Sequence, residues 1–210
     1  MAQTDGSSNS GLRPYRNAYG SIAIRHYEES TCASSKCIAV GDIVSLDTVV
    51  STMFRVCIAK SSGAAVGNQL ETNNGSLIGV AVSASTSDGS TTGLQESTAL
   101  SDGRRKIAVA IADGLNEFAV NISSVGADHP PPASSMIGNQ YSIICVRTAV
   151  GTKAGHGVWF LDSTNSTLAD QCFVVTDVPS HQIGTTGGYV VGKFLSTMVH
   201  RSVRLGGPVT

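Results

Sequence analysis

Apolar residues along this chain come in short runs of four to eight, broken by clusters of Gly, Ser, Thr, Asn and Asp. No helical period runs through them. Runs of this length, rich in β-branched residues and bounded by turn residues, predict short antiparallel strands. Ser21 to His26 alternates around Ile22 and Ile24 and predicts a first strand. Ile38 to Leu46 is two apolar runs bent at Gly41-Asp42. Phe54 to Ala59 reads as a strand buried on both faces, and Ser61 to Gly75 as a loop. Leu77 to Val82 is a strand whose Gly79 predicts a bulge or a close backbone approach. Ser83 to Gly93 is a low-complexity loop tip, and Leu94 to Leu100 has room for one helical turn. Lys106 to Ala112 and Glu117 to Ile122 flank Asp113-Gly114-Leu115-Asn116, a strong hairpin signal.

Ile137 to Phe194 holds four more such segments, with the single tryptophan, Trp159, in the second. Before it lies Asp128-His129-Pro130-Pro131-Pro132, which cannot continue a strand ladder because proline has no N–H to donate. This run is the predicted boundary. The fold class predicted is all-β, antiparallel barrel or sandwich units with an extended N-terminal arm. The expected parts are an arm over 1–20, an N-terminal β-unit over 21–125 and a C-terminal barrel-like unit over 133–210. The two halves rhyme: Val40-Gly41-Asp42 and Ile137-Gly138-Asn139 each open a unit. Two similar small barrels and one sandwich both fit. The arm carries Arg13, Pro14, Tyr15 and Tyr19, its candidate interface residues. It either anchors on a neighbouring subunit or is plainly disordered.

Composition narrows the function classes. Charged residues are 14%, against roughly 25% in an average soluble domain. A sparsely charged surface suits packing against other protein. The net charge is −1, and Arg104-Arg105-Lys106 is too short to follow a phosphate backbone. Aromatic residues, at 5%, are too few for a stacking surface. Neither a direct nucleic-acid partner nor a membrane is therefore expected. No run approaches the roughly 18 apolar residues of a membrane helix, and the polar first residues lack a signal-peptide core. Synthesis in a cytosol-like compartment is the expectation.

Cys57, Cys145 and Cys172 sit in apolar runs and read as small buried hydrophobes. Cys32 and Cys37 lie in a Ser-rich stretch, and a zinc site there would need two more nearby ligands. No metal or cofactor is expected; whether these two pair in a disulfide stays open. Gly187 to Lys193 has the spacing of a phosphate loop. Phe194 stands where that loop needs Ser or Thr, and Tyr189-Val190-Val191 reads as strand. The histidines His129, His156, His181 and His200 are scattered, with no marked nucleophile. Asp162 is expected to end a strand through an Asx-type turn with Asn165. Asp113, Glu117, Asp162 and Asp177 would carry a hydrolase reading only if two of them converged in a pocket. No catalytic residue is predicted.

Several soft motifs recur in a telling order: Arg13-Pro14-Tyr15, Gly41-Asp42-Ile43-Val44 and Leu77-Ile78-Gly79-Val80-Ala81, then Asn139-Gln140-Tyr141. After these come Trp159-Phe160-Leu161-Asp162 with Ser163 to Thr167, and Gly184 to Phe194. From about Leu12 to Leu195 the chain resembles the β-rich head decoration, or cement, proteins of tailed bacteriophages of marine and cyanobacterial type. The resemblance implies a structural virion protein on the outer surface of the capsid, made in the host cytoplasm. It implies a homotrimer that clamps adjacent copies of the major capsid protein, without catalysis. A tail, fibre or baseplate module is the alternative, though the long repeats usual in fibres are missing.

Overall fold

The computed structural model describes residues 12–29, 38, 40–46, 55–58, 68–70, 76–83, 106–123, 129–147, 157–164 and 170–200. Within them the chain is almost wholly β. Its strands are β1 (Arg13–Asn17), β2 (Ile24–Glu29), β3 (Ile43–Leu46), β4 (Arg55–Ile58), β5 (Asn68–Gln69) and β6 (Leu77–Ala81). They continue with β7 (Lys106–Ile111), β8 (Asn116–Ser123), β9 (Gln140–Arg147), β10 (Gly157–Asp162), β11 (Phe173–Asp177) and β12 (Tyr189–Phe194). Two single 3-10 turns, Ser134–Met136 and Ser180–Gln182, precede β9 and β12.

The strands form two closed rings. In the first, β2 pairs β4 in parallel, and β4–β3, β3–β6, β6–β7 and β7–β2 are antiparallel. In the second, β8 pairs β10 in parallel, and β10–β9, β9–β11, β11–β12 and β12–β8 are antiparallel. The order and every sense of direction match, strand for strand. So do the registers. Gly41 N–H donates to Ala81 O at 2.9 Å while Ala81 N–H donates to Asp42 O at 2.9 Å. Gly138 N–H donates to Val175 O at 2.8 Å while Val175 N–H donates to Asn139 O at 3.1 Å. Leu46 then faces Val56 in the first ring, where Ile143 faces Leu161 in the second. The rhyme of Val40-Gly41-Asp42 with Ile137-Gly138-Asn139 is thus a repeat of structure. Both glycines have positive φ, 91° and 86°, which the turn into the second strand of each ring requires.

Inside each ring the apolar faces meet: Val44, Val56, Ala81, Ile107 and Val109 in the first, and Phe118, Val120, Ile143, Trp159, Leu161 and Phe173 in the second; Ile43, Ile78 and Val80 are buried on the other face of their strands. Phe173, Phe194 and Phe118 stack edge to face, with centroids 5.4 Å apart in each pair. Trp159 is core, as its sequence setting suggests, and its indole N–H has no partner among the described residues. Cys145 and Cys172 are buried, and burial pushes the Cys172 thiol up to about 12; Cys57 is only half-buried. Cys32 and Cys37 lie outside the described residues, as do Asp128, His156, Asn165 and the Leu94–Leu100 segment.

Four expectations change. Strands β7 and β8 are both present, but they do not pair; each belongs to a different ring. Asp113 Oδ1 accepts from the N–H of Leu115 and of Asn116, both at 2.9 Å, closing an Asx turn. The Asn116 side chain then donates to Ile111 O at 2.8 Å, occupying the carbonyl that a hairpin ladder would use. The ring-to-ring boundary therefore falls at Asp113–Asn116, not at the proline run, which instead joins β8 to β9 inside the second ring. Finally, the segment expected as an extended arm, anchored on a neighbour or disordered, packs on its own chain over 12–20. Leu12 is buried, and β1 pairs antiparallel with β8. Residues 1–11 lie outside the described part. Asn68–Gln69, expected inside a loop, pairs with β9 as β5.

The rings are fastened at Asn116. Its amide donates to Ala23 O at 3.0 Å and its Oδ1 accepts from Ala23 N–H at 3.1 Å and from Asn17 Nδ2 at 2.6 Å. Farther on, Leu77 N–H donates to Met198 O at 3.1 Å and His200 N–H to Leu77 O at 2.8 Å.

Candidate protein interface

Two surface features have a chemistry of their own. The first is a set of projecting turns. Ile137 lies at φ −62°, ψ 130° before Gly138, and Asn139 N–H closes on Met136 O at 3.1 Å. That is a type II turn, which needs positive φ at its third residue. Ile183 repeats it at φ −59°, ψ 127° before Gly184, with Thr185 N–H closing on Gln182 O at 3.0 Å. Each turn holds its β-branched side chain outward: Ile137 and Ile183 are each 48% exposed, and Val40, at the equivalent place in the first ring, is 64% exposed. From His129 to Gln140 the sequence carries no Asp, Glu, Lys or Arg. The second turn is braced by Gly184 N–H donating to Pro132 O at 3.0 Å.

The second feature is the face around β1. Its pairing with β8 slips between Pro14 and Arg16, which leaves Tyr15 as the bulged residue. Pro14 is tolerated because β1 is an outer strand. From it, side chains reach across β8 to β12 and β11. Arg13 lays its guanidinium over the Tyr189 ring at 4.6 Å and donates to Asn121 Oδ1 at 3.4 Å. Tyr15 lies 6.1 Å from Tyr189, ring to ring. Arg16 pairs with Glu117 and, at 3.2 Å, with Asp177, and the bond to Glu117 holds its guanidinium above its ordinary value. Lys193 Nζ lies 3.7 Å from Glu117. The His181 Nε2 is 3.4 Å from the Tyr189 hydroxyl. Burial first, and Tyr15 second, push the Tyr189 phenol up. Tyr19, 84% exposed, stands apart near Asn17.

Of the arm residues named from sequence, Arg13, Pro14 and Tyr15 thus meet partners far along the chain and Tyr19 does not, and those partners were not legible there. Of the four candidate carboxylates, Glu117 and Asp177 do come together, but through Arg16 and on an open face. Asp113 caps its turn. Asp162 accepts from Thr164 N–H at 2.9 Å and from its hydroxyl at 2.7 Å, so the Asx turn closes on Thr164. Tyr189 to Phe194 is strand, not a phosphate loop. Among the described residues no group of three His, Cys, Asp or Glu side chains could hold a metal ion. No helix there is long and apolar enough to cross a membrane. Comparison with protein-family models, curated proteins and solved structures finds no match to this chain.

Proposed function

We propose that this chain is a structural virion protein that binds the outer surface of a phage head, as an oligomer, and clamps adjacent major capsid subunits. The observation that carries the reading is the doubled ring, with its matched Val40 and Ile137 turns. A chain that displays the same kind of apolar tip twice is suited to a partner that itself repeats. Burying one such side chain contributes about 1.5–3 kcal/mol, too little for firm binding alone. Two linked contacts raise the effective affinity by orders of magnitude. The low charge supports the same reading, since desolvating a neutral surface costs little. Self-association to a homotrimer is part of the proposal, and chemistry is not.

Co-sedimentation with emptied phage heads tests it. Wild-type protein is expected to pellet with the heads at micromolar concentration. V40D or I137D alone should weaken binding by about tenfold or more, and the double variant should remain in the supernatant. Wild-type protein that stays soluble beside intact shells would remove the reading. Equal binding by all four proteins would remove the role of the two turns.

A further inference from the structure

Three cations lie on the β1 face, and two of them are matched. Arg16 has Glu117 and Asp177, and Lys193 has Glu117. Arg13 has no carboxylate among the described residues; its neighbours are the neutral Asn121 amide and the Tyr189 ring. An arginine carries five N–H donors in a planar fork, and here a single bond of 3.4 Å uses one of them. The fork is also held still. Tyr189 supports its face, Tyr15 tilts against Tyr189 at 55°, and His181 braces the Tyr189 hydroxyl. The Tyr15 and Tyr189 hydroxyls can donate as well.

We propose that Arg13, with Tyr15, Tyr189 and His181 around it, is a socket for a carboxylate side chain of a partner protein. A carboxylate matches the guanidinium fork with two parallel bonds. Stacking on Tyr189 removes much of the entropy that a free arginine would lose on binding. Phosphate of a nucleic acid fits worse. Arg16 and Lys193, the neighbouring cations, are already taken up by Glu117 and Asp177, so among the described residues no run of free cations continues the site along a phosphate backbone. This socket would serve any acidic partner, so its test is separate from that of shell binding.

The probe is an acetylated, amidated tetraglutamate peptide, titrated into the whole protein and followed by NMR at arginine Nε–H and tyrosine ring signals. Saturable shifts are expected at Arg13, Tyr15 and Tyr189, and none with the tetraglutamine peptide. R13Q should weaken binding at least tenfold. R13K, which keeps the charge but not the fork, should weaken it several-fold while the amide spectrum stays folded. Shifts spread equally over Arg16 and the other arginines, or no saturation by about 10 mM peptide, would overturn the socket. Tighter binding of a short DNA oligonucleotide than of tetraglutamate would overturn the assignment to a protein carboxylate.

Discussion

Asn116→Ala should lower the unfolding free energy by about 3–4 kcal/mol, read as a fall in the urea midpoint. Asn116 is 1% exposed, and its side chain alone makes four hydrogen bonds. Alanine leaves Ile111 O unpaired in the core and takes the partner of the Ala23 N–H, while Ala23 O keeps only the Ile111 N–H at 3.1 Å. A buried polar group left unmade costs about 1–3 kcal/mol. Ile111 O takes the full cost, while Ala23 and Asn17 are part-buried and recover some of it from water. Asn116→Asp should be no milder. It keeps the acceptor but turns a carboxylate toward two carbonyl oxygens. Because this residue ties Ala23, just before β2 of one ring, to β8 of the other, a second sign is expected: separate unfolding transitions for the two rings. A loss below about 1 kcal/mol with one sharp transition would mean that the rings are held together elsewhere.

Gly79→Ala and Gly192→Ala should each cost more than about 3 kcal/mol, or leave no soluble folded protein. A Cβ on Gly79 would lie 2.0 Å from Ala110 O, and one on Gly192 would lie 2.2 Å from Val174 O and 2.4 Å from Phe173 Cε1. Neither oxygen can retreat, since Ala110 faces Val80 in β6 and Val174 faces Lys193 in β12. Relief requires prising apart β6 from β7, or β11 from β12. Each glycine lies on the same strand pair of its own ring, so the repeat extends to where the backbone is thinnest. Gly114→Ala is the comparison. It meets nothing within 4 Å, and only its φ of +85° opposes it, for a cost of about 1–2 kcal/mol. Thermal melts of the three variants check the ordering; similar melting points for all three would contradict it.

The strands were legible because β-branched runs bounded by turn residues have few other ways to fold. Val80 and Val109 lie where their apolar runs suggest, and the close approach at Gly79 follows from a glycine inside such a run. Partner choice was not legible. Alternation tells which face of β8 is buried but not which strand lies beside it. Asp113-Gly114 is as good a signal for a turn between two sheets as for a hairpin. What decides the matter is the Asn116 side chain, reaching back to Ile111 and across to Ala23, and no local pattern encodes that. The β1 face was half legible. Arg13 and Tyr15 stood out in a polar segment. Tyr189, their platform, looked like an ordinary strand residue, because only the β1–β8–β12 order brings it within reach.

The central claim is that this two-ring chain sits outside a phage shell and spans neighbouring subunits. Reconstruction of the intact virion at side-chain resolution tests it most directly. The account predicts two adjoining β-rings on the outer capsid surface, one over each of two neighbouring subunits, with Val40 and Ile137 turned toward the shell. Density for the chain in the tail or baseplate, or none anywhere on the particle, would contradict it.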